Sequence, residues 1–371
     1  MNDSSRIIDY LRLNLTPGIG PRIHHTLLQH FGSPTAVLAA SLDSLRQVSG
    51  VGPKLAQSIL DHKDSERANR ELERCEKLGV RLMTRECPDY PPLLSEIHDA
   101  PPVFYCRGKL LDRDQLSIGI VGSRRCTLYG RQQAQKLAGG LARAGMTVIS
   151  GLARGIDGAA HEGAIQAGGR TLAVLGTGVL KIYPPEHDDL AKKVIEHGAL
   201  ISEFPMDQRP SPGLFPQRNR IISGLSHGVI IVEATRKSGA LHTARHAMEQ
   251  GREVFALPGR VDSLASEGCH NLIRDGVTLV RNVDDVLESL GPLIQPVATG
   301  ESEQVHSPRE LTLNERELEV LNLVTTDPVP IDEILRSTDL AASSVLSTLT
   351  VLEMKRMVRR LPGSMMVRTS G

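Results

Sequence analysis

The chain has 371 residues, too many for one ordinary core, and its pattern divides into three domains. A hydrophobic content of 40% with 23% charged residues excludes a disordered chain. Because 43 basic side chains balance 43 acidic ones, a global field for polyanions is excluded, and any nucleic-acid contact has to come from local patches. Aromatic residues make up only 3% and Trp is absent, which argues against a platform of stacked bases and leaves phosphate contacts to carry affinity. No run of about 18 apolar residues occurs, and residues 1–5 open a polar segment, so a membrane span and a signal peptide are not expected and the location read is cytoplasmic. The five cysteines are scattered without a CxxC pair, so neither a disulfide framework nor a zinc ribbon is indicated.

Residues 1–73 read as helices punctuated by glycine turns. The segment Leu15-Thr16-Pro17-Gly18-Ile19-Gly20 is echoed by Val48-Ser49-Gly50-Val51-Gly52-Pro53, the spacing of a helix-hairpin-helix unit whose glycines let helix N-terminal amides approach a phosphate. A packing module without DNA contact fits the same residues, and only Lys54 is basic directly after the second turn. From Gly79 the pattern changes to short strand candidates at 80–83 and 103–105. Residues 74–291 then form the central domain, in which strands 117–121, 147–150, 171–175, 200–203, 228–232, 253–257 and 278–280 alternate with helices such as 130–144, 157–167, 187–197 and 241–250. That alternation predicts the fold class α/β, a Rossmann-like, mainly parallel sheet with helices on both faces. Residues 292–308 carry Pro and Gly without apolar period and read as a linker. Helices at 315–324, 331–337 and 343–354 followed by a hairpin at 358–367 predict a winged-helix domain over 309–371.

The strand ends of the central domain carry the chemistry. Gly122, Ser123, Arg124 and Arg125 follow the first parallel strand, and Ser150, Gly151, Ala153, Arg154, Gly155 and Ile156 surround the end of the second. Gly176 and Gly178 follow the third, Ser238, Gly239 and Thr243 the fifth, and Pro258-Gly259-Arg260 the sixth. Small-residue turns at helix N-termini leave amides and a positive dipole end around one point, which favours an anion, and ligands of open α/β sheets sit at such strand ends. The segment 209–220 adds Arg209, Arg218 and Arg220 with no acid, read as a loop running into an apolar helix at Ile221. There Arg218, Asn219 and Arg220 are placed to grip a phosphodiester backbone. Phe215 can equally stack on a base or fill the core, and the alternative for Arg218 is a pair with a nearby acid such as Glu203 or Glu233.

These motifs, Gly122-Ser123-Arg124, 150–157, Phe215-Pro216-Gln217-Arg218-Asn219-Arg220-Ile221-Ile222 and 238–244, resemble the DNA-processing protein A family (DprA, also called Smf) across the central domain. The resemblance implies single-stranded DNA as ligand, a homodimer through the Rossmann-like domain, and assistance in loading the RecA recombinase during natural transformation and recombination. It implies no catalytic step and no cofactor, and it puts Arg124, Arg218 and Arg220 on phosphate. Two positions depart from the pattern: Leu180 stands where an acid is expected and His242 where an aliphatic residue is usual.

The same residues admit other chemistries. A nucleoside-monophosphate phosphoribohydrolase using the same cleft would need a carboxylate, for which Asp157 and Glu233 are the candidates. His242 and His246, four apart on a helix, have no third metal partner in the pattern. The strand-turn segment at 119–124 lacks the third glycine and the ribose-binding acid of a dinucleotide site. Beyond Met354, Lys355, Arg356, Arg359, Arg360 and Arg368 stand without an acid, a face for duplex or for protein, although the helix before them has no basic residue for base readout.

Overall fold

The computed structural model describes residues 3–291 and, beyond them, 297–300, 303–305, 313, 315–325, 328–338, 340–355, 357–361, 363 and 365–368. It divides into two compact units, residues 1–142 with 146–281, and 143–145 with 282–371.

The first unit begins with helices α1 (Asp3–Asn14), α2 (Pro21–Phe31), α3 (Pro34–Ala39), α4 (Leu42–Arg46), α5 (Pro53–His62) and α6 (Glu66–Lys77). The sequence echo is a structural repeat. α1 turns into α2, and α4 into α5, through Gly18 and Gly50 with φ of 93° and 83°, and Gly20 and Gly52 stand before a helix-opening proline. Leu13, Leu27, Val37, Leu45, Val51 and Ile59 pack between these helices as a core of their own. Another set of helical residues, Tyr10, Leu11, Ala68 and Cys75, leaves that core and packs on the central sheet instead.

The sheet is built from β1 (Val80–Thr84), then α7 (Pro92–Glu96), β2 (Val103–Gly108), β3 (Ser117–Val121), α8 (Leu128–Arg143), β4 (Thr147–Ser150), α9 (Ile156–Gln166) and β5 (Thr171–Val174). It continues through α10 (Asp188–His197), β6 (Gly198–Ser202), α11 (Leu214–Gly224), β7 (Gly228–Ile231), α12 (Ala240–Glu249), β8 (Glu253–Ala256), α13 (Glu267–Arg274) and β9 (Thr278–Leu279). The nine strands lie in the order β1-β2-β6-β5-β4-β3-β7-β8-β9. Strands β3 to β9 are parallel, while β1 and β2 add an antiparallel edge beside β6.

Strand residues alternate between two cores, as the two-residue period demands. Phe104, Cys106, Leu172, Val174, Ala199 and Ile201 face one core; Val103, Tyr105, Ala173 and Leu200 face the other, with α1 and α6. β3 to β6 step outward on one side and β7 returns to pair with β3 on the other. The strand order therefore reverses between β3 and its neighbours, the place where doubly wound sheets open a crevice at the carboxyl ends of their strands.

The second unit contains α14 (Val283–Leu290), a two-stranded ladder of β10 (Val297–Gly300) and β11 (Glu303–Val305), and then α15 (Glu315–Asn322), β12 (Val329–Pro330), α16 (Ile331–Arg336), α17 (Ala342–Met354), β13 (Val358–Leu361) and β14 (Met365–Arg368). The ladder lies within the segment read as a linker, the rest of which is outside the described residues. Three helices and a sheet ordered β12-β14-β13 make the winged helix, its core formed by Val320, Leu321, Ile334, Val345, Leu349, Leu352 and Met366. Of the basic run after Met354, Lys355 is paired with Glu317 at 2.8 Å, and Arg359 and Arg360 are exposed. Arg356 lies outside the described residues.

Candidate nucleic-acid interface

The reversal of strand order opens a cleft of about 790 Å³. Gly122, Ser123, Arg124 and Arg125 after β3 form one side, and Thr235, Ser238, Gly239 and Ala240 after β7, with His242 and Thr243 of α12, form the other. Ala153 reaches it from the turn after β4, Asp157 from the first turn of α9, and Phe215, Arg218 and Asn219 from α11.

The arginine segment is helical from Leu214, seven residues before the apolar run that marked a helix in the sequence. Pro216 concealed the start, but in a first turn its missing N–H has no helical acceptor to lose and its fixed φ suits the helix. Helical geometry then decides which arginine serves the cleft. Phe215, Arg218 and Asn219 are three and four apart and share a face, whereas Arg218 and Arg220, two apart, point in nearly opposite directions. Arg220 is accordingly not in the cleft. Its guanidinium is buried, bonded to Glu203 and 3.5 Å from Asp99.

Arg218 is only 3% exposed, at the floor. Nη2 donates to the Gly151 carbonyl at 3.1 Å and Nη1 stands 4.0 Å from Asp157 Oδ2, while Nε and Nη1 have no hydrogen-bond partner. Burial pulls its pKa down to about 10, with Asp157 opposing and Arg124 adding to the fall. Burial likewise raises Asp157, against the pull of Arg218 and of the Ala153 and Gly151 amides. At 4.0 Å the two charges do not offset each other's desolvation. An anion entering the cleft would find a desolvated guanidinium with two unused nitrogens. Above it, the Arg124 guanidinium lies 5.2 Å from the centre of the Phe215 ring, which in turn meets Tyr183 at 5.5 Å. Phe215 is thus half-buried as a shelf for Arg124, and Tyr183 is the cleft aromatic that the sequence reading missed; its only signal was a position just before Pro184-Pro185.

Several amides expected to receive an anion already have partners. Ser123 N–H donates to the Glu233 carbonyl at 2.7 Å, Arg125 N–H to Ser123 Oγ, and Gly178 N–H to the Gln208 carbonyl. The Asp157 carboxylate accepts from Gly151 and Ala153, holding the turn after β4. The Glu233 carboxylate accepts from the backbone and hydroxyl of Thr127 and so caps the start of α8. The chain's own carboxylates therefore close two of the expected anion points, and the two acids considered for hydrolysis have structural employment. The start of α12 is satisfied in the same way: Ser238 Oγ accepts the Ala240 N–H and the Ser238 and Gly239 carbonyls accept those of Leu241 and His242, while Asn219 Nδ2 is tied to the Gly239 carbonyl at 3.3 Å.

Other predicted site residues support the cleft without lining it. Ser150 donates to the Ile120 carbonyl, Ile156 is fully buried, Gly176 lies beneath Phe215, and Gly178 is closed over by the backbone of Pro205 and Met206. Arg154 is exposed and bonded to Glu186. Gly155 has φ of 77°, and a Cβ there would stand 2.3 Å from the Ser123 carbonyl oxygen. Leu180 is partly buried at the edge of the core that also contains Val179 and Met206, while His242 is exposed in the cleft wall and His246 is half-buried beside Glu249. Among the described residues no group of three His, Cys, Asp or Glu side chains assembles as a metal site.

Comparison with known proteins identifies the family. The family model of DNA recombination-mediator protein A matches residues 81–291, more than half of the chain. The chain belongs to the DprA family. The family's winged-helix model matches residues 304–364, and a SAM-like helix-hairpin-helix tandem matches 11–62. Protein Smf of Synechocystis is 35% identical over 95% of this chain and 96% of its own length, and Protein Smf of Escherichia coli 39% over 78% and 77%. The crystal structure of DprA from Streptococcus pneumoniae, 33% identical, superposes on 78% of this DprA-family chain and 98% of its own with a TM-score of 0.67. DprA from Helicobacter pylori, solved to explain its single-stranded DNA binding mode, is 31% identical and covers 57% of this chain and 95% of its own with a TM-score of 0.51. No helix among the described residues is long and apolar enough to cross a membrane.

Proposed function

We propose that the cleft binds single-stranded DNA through its phosphates and performs no covalent chemistry. The buried Arg218, with Nε and Nη1 unpaired at the floor of an open crevice, carries this reading. A guanidinium so placed suits a phosphate oxygen through charge-assisted bonds, and the side chains of Arg124, Arg125, Asn219 and Ser238 extend the contact along the crevice. Recognition through the phosphates predicts little base preference. Family membership supports the remainder of the reading: protection of processed or incoming strands, their delivery to the RecA recombinase, and pairing of two chains through the Rossmann-like domain.

Titration of labelled oligo(dT) over a range of salt tests the site. The affinity should fall with a slope of roughly 0.7 per phosphate engaged, and Arg124→Ala with Arg218→Ala should weaken binding and flatten the slope. An unchanged slope in the double variant removes the assignment. Competition by nucleoside monophosphate with release of free base would favour a phosphoribohydrolase instead.

A further inference from the structure

The strongest basic feature outside the cleft is on α6. Arg67, Arg70 and Arg74 follow one another at intervals of three and four, which sets them along one side of the helix. With Arg209, Glu71 and Asp207 they line an open recess of about 700 Å³ between α6 and the loop after β6. The acids there are engaged in joining helix to loop. Asp207 holds Arg74 at 2.6 Å, and Glu71 accepts the Met206 N–H at 2.9 Å while lying 3.8 Å from Arg74. Arg67, Arg70 and Arg209 are exposed and make no ion pair among the described residues, so three guanidinium charges are left over.

The recess is next to the cleft. Its loop residues run from Pro205 to Arg209, and the next three, Pro210, Ser211 and Pro212, line the cleft. Successive Cα atoms are about 3.8 Å apart, so one short rim separates the two, and its prolines restrict the backbone that would have to move to close the passage. No aromatic side chain lines the recess, which leaves phosphate, not base, as the group it can recognise.

We propose that the Arg67–Arg70–Arg209 recess is a second phosphate subsite, taking up a single strand as it leaves the cleft across the 205–212 rim. This rests on the reading of the cleft as a DNA site. It makes the helical N-terminal region part of the DNA path through α6, independently of its two glycine hairpins.

The test uses the full chain and two oligo(dT) probes, about 6 and about 25 nucleotides long, the shorter able to fill the cleft alone. In the variant R67A/R70A/R209A, with Arg74 retained because it ties the loop, the longer probe should bind at least about tenfold more weakly. Its salt slope should drop by roughly 2, as expected for three phosphate contacts at about 0.7 each, while the shorter probe changes less than twofold. R67K/R70K/R209K, which keeps the charge, should restore most of the slope. Equal weakening of both probes, or no effect on either, overturns the subsite and leaves the cleft assignment standing. Failure of the unaltered chain to bind either probe overturns both.

Discussion

Arg218 and Arg220 stand two residues apart in one helix and serve different ends. Removing Arg218 takes away a donor to an incoming phosphate, but Asp157 keeps its two amide bonds, so Arg218→Met should weaken oligo(dT) binding at least about tenfold, or ~1.4 kcal/mol, with a smaller effect on thermal stability. Arg220→Met strands Glu203 and Asp99 without their cation. It should cost about 3–5 kcal/mol in denaturant unfolding and affect binding only through lost fold. A binding loss in Arg220→Met at full stability would contradict the helix geometry. Two buried histidines make a separate prediction. Burial holds His24 at a pKa of about 4 and His161 at about 3, both below the ordinary 6.5. Thr171 gives its hydroxyl hydrogen to the Val148 carbonyl, so His161 Nδ1 is the donor of the bond to Thr171 Oγ1. Above pH 6.5 both histidines are neutral in either state and their contribution to stability is complete. As pH falls below 6.5 the unfolded chain takes up protons that the folded chain refuses, and stability is lost by up to about 1.4 kcal/mol per pH unit for each histidine until the folded pKa is reached. Urea unfolding at pH 7 and pH 4.5 should show the loss, and His161→Gln should reduce it.

At the scale of elements, the turn after β4 decides whether the cleft exists. It passes through Leu152 at φ 54° and Gly155 at φ 77°, with the Leu152 carbonyl accepting from His187 Nδ1 at 2.9 Å and the Gly151 backbone against the Arg218 guanidinium. Gly155→Ala combines a disfavoured φ with a clash on the Ser123 carbonyl, and should lower the melting temperature by several degrees along with binding. Gly151→Ala is predicted to act differently. Its Cβ would fall 1.5 Å from Arg218 Nη1, so a circular dichroism melt near that of the parent with DNA affinity reduced as in Arg218→Met is expected; intact affinity would show that Arg218 is not the floor of the site. Parallel strands such as 117–121 and 147–150 were legible in the sequence because strands buried on both faces are short runs of apolar and β-branched residues bounded by Gly and Ser. The start of α11 was not, because a proline in a first helical turn looks like a proline in a loop.

For the whole molecule, the separate core of the winged helix predicts that a chain ending at residue 308 keeps the fold and the single-strand affinity of the first unit, measurable by the same salt titration. An altered slope would bring the winged helix into the DNA path. Removing residues 1–78 should be damaging, because Tyr10, Leu11, Ala68 and Cys75 cover Val103, Tyr105 and Leu200 of the sheet. Such a fragment should aggregate or bind a hydrophobic dye. The helical front therefore contributes to the central core as well as its own.

The amino-acid sequence alone determined the order of elements, the α/β class, the paired glycine hairpins and the strand ends where an anion site would form, since these depend on local periodicity and on residues such as Gly and Pro with few conformations to choose from. It also singled out Arg124, Phe215, Arg218, Asn219 and Ser238 for the cleft, all of which line it. Which arginine turns inward to Glu203, which groups Glu233 has already taken, and how α6 comes beside the loop after β6 were decided only by the tertiary structure. Arg220 meets Glu203, 17 residues away, through helical phase, while Glu233 lies 106 residues from Thr127 and Met206 135 from Glu71, and no local pattern encodes these meetings.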